Sequence, residues 1–248
     1  MSWMGRRNTE MVSGLALGMT LLAMAPALGR ADAPKAPQQG PAAAPQTVGA
    51  DAVAAQVQAF YDQTKSVESG FFQTYYNKLY DRYDKSGGSV KFQKPGKMRW
   101  DYAAPNGKVI VSDGKHLLVY EPGEGKDPGQ VFERNITQSE LPQALAFLTG
   151  TGRLSSDFKF RLLDATAQGF KGGHVLELMP KMPSPHFERI LFYVDADPKR
   201  AGLVHRVLIV DSAGNRNRID FQAPKFNRQV GEKTFAWQPP KGTRRITQ

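Results

Sequence analysis

The sequence predicts a mainly β chain (α+β) built on a single strongly curved antiparallel sheet with two or three short helices. Three observations predict it. From residue 69 the apolar period is two, and about eleven short β-type runs follow one another. The breaks between them are tight-turn signals: Ser86-Gly87-Gly88, Asn106-Gly107, Asp113-Gly114, Pro122-Gly123, Gly172-Gly173 and Ala213-Gly214-Asn215. Connections that short join neighbours as hairpins, which makes the sheet largely antiparallel. No internal repeat and no shift of composition marks a second folded domain in the 248 residues.

The N-terminus is set apart from the fold. Arg6 and Arg7 precede an uncharged run from Met11 to Gly29, followed by small residues, the pattern of a secretory signal over residues 1–29. A membrane anchor is the competing reading, since such a run is close to the shortest spanning length of about 17 residues. Residues 30–49 are rich in Pro, Ala and Gln and contain little that could repay the entropy of ordering, so they read as a flexible leader. The folded domain is expected over residues 50–248. It opens on an amphipathic helix with Asp51 as N-cap and Val53, Val57, Phe60 and Tyr61 at helical spacing. A second helical stretch interrupts the strands at residues 139–158, where Leu141, Leu145 and Leu148 form a stripe that ends at Gly150.

Several strand runs are apolar on both faces: Leu117 to Tyr120, Ile190 to Val194, and Val207 to Val210. An antiparallel sheet with such strands needs cover on both sides. A sandwich or closed barrel with a filled core provides it, and so does an incompletely closed barrel whose helices lie across an apolar cavity.

Composition narrows the function classes. There is no cysteine, so an exported chain has neither disulfides nor a lipidated cysteine. The formal net charge is +10; signal cleavage after Gly29 removes two cations and one anion and leaves +9, a balance that suits anionic partners. Catalytic motifs are missing: there is no thiol nucleophile, Gly-x-Ser-x-Gly elbow, His-Glu-x-x-His or phosphate-cradling glycine loop, and no enzymatic activity or cofactor is expected. His116, His174, His186 and His205 fall in different strands or at their ends, and Asp195 with Asp197 reads as a polar turn rather than a calcium loop. Residues 71–85, FFQTYYNKLYDRYDK, interleave aromatics with basic residues in the manner of a nucleic-acid stacking platform. An exported chain does not meet nucleic acid, and alternating aromatics in strands serve cross-strand packing, so none is expected as a partner.

One ordered set of motifs carries a family resemblance. Phe72-Gln73, then GSVKFQKPGKMRWDYAAPNGKVIVSDGKHLLVYEP, then LPQALAFLTGTGRLSSDF, LELMPK and FAWQPPKG together resemble the outer-membrane lipoprotein carrier (LolA) family, from about residue 50 to residue 242. The resemblance implies a half-barrel closed by helices, acting in the periplasm as a monomeric chaperone. It would accept acylated lipoproteins from an inner-membrane ABC transporter, shield their acyl chains and hand them to an outer-membrane acceptor. The missing cysteine favours the carrier over the lipidated acceptor. A second implication is a periplasmic lipid-sensing regulatory module of the same fold, although such regulators carry a further C-terminal domain.

The resemblance also assigns residues. Lys94, with Pro95, stands where the family has an arginine that donates to lid-helix carbonyls and holds the empty cavity shut; lysine keeps a donor but lacks the planar fork. Met98, Trp100 and Tyr102 share one face of a strand by the two-residue period and become the concave lipid-binding wall, together with Leu117, Val119 and Phe192. Val53, Val57, Phe60, Leu141, Leu145 and Leu148 become the lid. Arg99, on the opposite strand face, reads as surface or interface charge.

Overall fold

The computed structural model describes residues 48–135, 143–150 and 152–247. The signal and nearly all of the leader expected from the sequence lie outside these residues, as does Leu141.

The chain enters through α1 (Ala50–Gln63), then builds a meander of β1 (Ser66–Asn77), β2 (Arg82–Gln93), β3 (Lys97–Tyr102), β4 (Val109–Asp113), β5 (His116–Glu121) and β6 (Gln130–Asn135). Two short helices follow, α2 (Gln143–Thr149) and α3 (Leu154–Asp157). A second meander comprises β7 (Phe158–Leu163), β8 (Gly173–Pro180), β9 (Arg189–Asp195), β10 (Val204–Val210) and β11 (Arg216–Phe226), and β12 (Arg244–Thr247) ends the described chain. All twelve strands form one sheet in the order β12-β6-β5-β4-β3-β2-β1-β11-β10-β9-β8-β7, antiparallel except where β12 runs parallel to β6. β7 and β12 are its two ends, so the barrel is not closed.

Curvature follows from what shares the interior. Trp100 on β3 and Phe192 on β9 stand five strands apart in the sheet, yet both belong to one buried cluster with Val53 and Val57 of α1 and Phe147 of α2. The helices lie in the trough of the half-barrel, and the apolar face of each strand turns toward them.

The strands that are apolar on both faces find outer cover without a second sheet. On β9, Ile190, Phe192 and Val194 face the trough, while Leu191 and Tyr193 join Val175 in a separate cluster with Leu163, Ala165 and Phe170. Leu208 of β10 packs there too. Phe170 sits on the β7–β8 connection and stands edge-on to Tyr193, with ring centroids 5.4 Å apart. Over β5 the cover is the C-terminal segment, where Trp237 lies 5.4 Å from Tyr120. The filled sandwich and the closed barrel are thereby excluded.

Some boundaries differ from expectation. The N-cap of α1 is Gly49 and not Asp51, which sits in the first turn, where a carboxylate favours the helix N-terminus. The helix stops at Gln63 and β1 begins at Ser66, earlier than residue 69, because Thr64 caps the last turn through its hydroxyl on the Phe60 carbonyl. The helical insertion is two helices, separated at Gly150, whose φ of +76° ends the first of them.

Candidate lipid-binding trough and its latch

The trough is lined by alternate residues of successive strands, as the two-residue period requires. Phe71 of β1 stands edge-on to Trp100 and to Tyr102, each with centroids 5.0 Å apart, and Phe92 of β2 meets Trp100 at 5.6 Å. Met98 and Trp100 are buried and Phe92 and Phe192 are 0 % exposed. Tyr102, Leu117 and the lid residue Phe60 are half-buried against this cluster. Val119 is half-buried on the same face of β5 as Leu117, paired across to Phe132 of β6, and lies outside the central cluster. Burial pushes the Tyr102 phenol up to about 12, partly opposed by a hydrogen bond with the Gln73 side chain.

The lid fills this trough. Val53, Val57 and Tyr61 of α1 and Leu145, Phe147 and Leu148 of α2 are all buried in it. Phe147 links the parts: its ring lies 4.7 Å from Tyr61 and 4.9 Å from Phe192. Sequence reasoning passed over Phe147, because a stripe drawn through Leu141, Leu145 and Leu148 leaves it on the other side. In a short helix sunk into a concave sheet, both sides are covered. Tyr61 seats α1 further, since its hydroxyl accepts from the Val204 amide at 3.3 Å, and burial raises that hydroxyl well above the usual phenol range. A turn after β9 also meets α1: Gly202, at φ +89°, approaches so closely that an added Cβ would lie 2.2 Å from the Gln56 carbonyl oxygen.

At the end of β2 the chain turns through Lys94, Pro95 and Gly96, with Lys94–Pro95 in the cis form. The Lys94 amide donates to the Lys65 carbonyl at 3.0 Å, which pins the corner beside the end of α1. The Lys94 Nζ donates to the Tyr61 carbonyl in the last turn of α1, where unpaired carbonyls and the helix dipole favour a cation. Its aliphatic stem passes over Gly150 at the end of α2, where an added Cβ would lie 2.7 Å from the Lys94 Cδ. Burial lowers the affinity of this amine for its proton, and the nearby Asp62 opposes that. A second donor was not visible in the sequence: the Gly96 amide donates to the Thr149 carbonyl at 3.1 Å. One corner thus holds the C-terminal ends of both lid helices.

Other sequence candidates have structural placements. Arg99, on the outer face, pairs with Asp101 at 2.9 Å and donates to the Thr234 carbonyl at 2.9 Å, so it fastens the C-terminal segment. Asp195 accepts from the Asp197 amide at 2.8 Å and pairs with Arg200 and His205 at 3.0 and 2.8 Å. Burial pushes the Asp195 carboxyl up, but the His205 and amide hydrogen bonds and Arg200 outweigh it and hold it below its ordinary value. An opening of about 550 Å³ lies on the outer face, between β3 to β6 and the C-terminal segment; it is bounded by Lys97, Glu133, Glu232 and Arg245 as well as Trp237 and is separate from the trough.

An incompletely closed half-barrel with an apolar trough, covered by helices that one corner holds down, defines the class of protein. The chain belongs to the outer membrane lipoprotein carrier protein LolA family, whose model matches residues 62–238. It is 31% identical over 192 residues to an outer-membrane lipoprotein carrier protein of Chromobacterium violaceum, covering 76% of this chain and 84% of that one. A protein of the same name from Cupriavidus pinatubonensis is 30% identical over 190 residues, covering 75% and 84%. Among solved structures, a LolA superfamily protein from Nitrosomonas europaea aligns with a TM-score of 0.43 at 14% identity, covering 76% of this chain and 98% of that one. The family match favours the carrier over the sensing module.

Proposed function

We propose that the protein is a periplasmic carrier that accepts acylated lipoproteins from an inner-membrane ABC transporter, shelters their acyl chains in the trough and delivers them to the outer membrane or to an acceptor there. The observation that carries this reading is the pairing of a continuous apolar wall with lid helices whose C-terminal ends are both tied to one corner, through Lys94 Nζ and the Gly96 amide. At about 0.8 kcal/mol per buried CH₂, a sixteen-carbon chain costs on the order of 12 kcal/mol to expose to water, so free diffusion between membranes is excluded. Met98, Trp100, Tyr102, Leu117, Val119 and Phe192 are the wall that takes the chains. Val53, Val57, Phe60, Leu145, Phe147 and Leu148 vacate it when α1 and α2 lift. Binding and release then need lid motion and a better acceptor, without bond chemistry. Among the described residues no helix is long and apolar enough to cross a membrane.

Two measurements test the reading. Bis-ANS is expected to bind the folded chain and to be displaced by a diacylated lipopeptide but not by the same peptide without acyl chains. Equal displacement by both would sink the carrier function. The composition of residues 30–49 predicts a flexible leader that contributes no core, so removing the chain up to about residue 48 is expected to leave the melting temperature within a few degrees of its original value. A larger drop would show that the leader packs on the domain.

A further inference from the structure

The stretch FFQTYYNKLYDRYDK is only partly used by the trough. Phe71 points in, against Trp100 and Tyr102, but the far end of the β1–β2 hairpin is exposed throughout residues 78–85. Leu79 is 82 % exposed, Tyr80 73 % and Tyr83 60 %, which places three of the six most exposed large hydrophobic side chains among the described residues on one hairpin tip. The tip is tied to its neighbours by its own contacts. Tyr76 and Tyr83 are cross-strand partners with ring centroids 4.6 Å apart, the Arg216 guanidinium lies 5.8 Å from the Tyr76 ring, and the Lys78 amide donates to Asn215 at 2.9 Å. It also projects: β3 pairs with β2 only from Gly88 to Gln93, so residues 82–86 run on beyond that strand.

The charge around these side chains is not balanced. Asp84 pairs with Arg82 at 2.9 Å and Asp81 accepts from the Tyr76 hydroxyl at 3.0 Å, and these two anions against the four cations Lys78, Arg82, Lys85 and Arg216 leave a local charge of +2. Lys78, Lys85 and Arg216 carry no ion pair among the described residues. A leucine and tyrosines at a rigid tip, ringed by cations, is the composition that seats at a lipid–water interface: the rings and Leu79 enter the headgroup boundary while the cations meet anionic headgroups. Cation excess decides between occupants, because an apolar protein surface would not need it and an anionic bilayer does.

A pocket of about 250 Å³ lies at this end of the sheet, lined by Tyr75 on β1, Ile209 and Phe187 together with the polar His186, Asp211 and Asn217; Phe187 and Ile209 pack in or against the core cluster. Tyr75 stands next to Tyr76 of the tip.

We infer that the β1–β2 hairpin tip, through Leu79, Tyr80 and Tyr83 with Lys78, Lys85 and Arg216, docks the protein on an anionic phospholipid surface with that end of the sheet facing the bilayer. The inference goes beyond the carrier function and does not depend on it, since docking belongs to the empty protein.

The test is flotation of the mature, unloaded chain with vesicles of phosphatidylcholine alone or with about a third phosphatidylglycerol. The chain is expected to float with the anionic vesicles at low salt and to be released as salt rises, because the attraction is screened. Leu79→Asp and Tyr80→Asp are each expected to lower partitioning about tenfold. Lys85→Ala is expected to lower it about fivefold, the ratio that roughly 1 kcal/mol per cation gives. Lys199→Ala, at an exposed lysine on the β9–β10 connection at the opposite end of the sheet, is expected to leave it unchanged. The inference is overturned if the unaltered chain stays with the soluble fraction, if the Leu79 and Tyr80 variants float as it does, or if phosphatidylcholine alone binds equally. Tip variants that float normally but fail to receive or deliver lipoprotein would assign the tip to a protein partner and overturn it as well. Displacement of bis-ANS by lipopeptide, measured on the same variants, is expected to be normal and separates failure of docking from failure of the carrier function.

Discussion

Replacing Lys94 with leucine is expected to leave lipoprotein acceptance intact and to stop delivery. The substitution removes the cationic donor to the Tyr61 carbonyl while the wall of Met98, Trp100 and Tyr102 stays as it is. A lost charge-assisted hydrogen bond is worth about 1.5 to 3 kcal/mol, which shifts the balance of closed and open lid by tenfold or more. The Gly96 to Thr149 bond remains, so α2 keeps one tie and the protein still folds. With closure weakened, the helices no longer compete with acyl chains for the trough, and the chains are not expelled. Lys94→Arg is expected to retain both steps, because the guanidinium supplies the same charge and more donors. The measurement is a two-stage transfer: release of lipoprotein from inner-membrane vesicles, then incorporation into the acceptor membrane. Normal behaviour of Lys94→Leu in both stages would reduce Lys94 to a lysine beside a strand corner. Failure at the first stage would place it on the docking surface for the donor.

The second large effect is expected at Gly202. Its φ of +89° is disfavoured for any side chain, and an alanine Cβ would lie 2.6 Å from the carbonyl carbon of Gln56 and 2.9 Å from the Cβ of Phe60. Backbone cannot rotate away as a flexible side chain does, so α1 must move outward. Gly202→Ala is expected to cost about 2 to 4 kcal/mol, or roughly 5 to 15 °C in melting temperature for a domain of this size. Bis-ANS binding to the empty protein should rise at the same time, because the displaced helix uncovers the wall. A melting temperature and dye signal equal to those of the unaltered chain would mean that α1 is not held at this turn.

How far the sequence disclosed this arrangement depended on whether a feature was local. Hairpins and their turns are set by neighbours in the chain, and from β3 to β6 the connections fall at the expected glycine and asparagine signals; Ser86-Gly87-Gly88, expected as a break, instead lies inside β2, paired with residues 71–73 of β1, and the β1–β2 turn falls at residues 78–81. The two-faced apolarity of Ile190 to Val194 announced that both sides of β9 are covered, but a run of residues cannot say by what; the answer, a loop carrying Phe170, lies on a different connection. Lys94 was found through a side-chain type at a motif position. Its companion Gly96 acts through a backbone amide, which every residue but proline possesses, so no residue letter could reveal it. Phe147 was missed because helical periodicity assumes one buried face. The aromatics of residues 71–85 were read as packing throughout, and alternation does say which side chains share a face, but it does not say where the neighbouring strand ends. β3 stops opposite Gly88, and the tip beyond, residues 78–85, is exposed.

The sheet order has a consequence for how the chain reaches this state. β1 to β6 and β7 to β11 are two runs of sequential neighbours, each of which can zip up hairpin by hairpin with short loops to close. They are joined by a single pairing, β1 with β11, which sets residues 67–76 against residues 216–226. That contact closes the longest loop of the domain, with the β12–β6 pairing a second long closure, and it cannot form until the last long strand has emerged. Up to that moment Phe71 and Ile219, which face the same trough from the two sides of the seam, stand on half-sheets with an uncovered apolar face. A protein built to keep lipid chains out of water is, during its own assembly, the species most in need of the same protection.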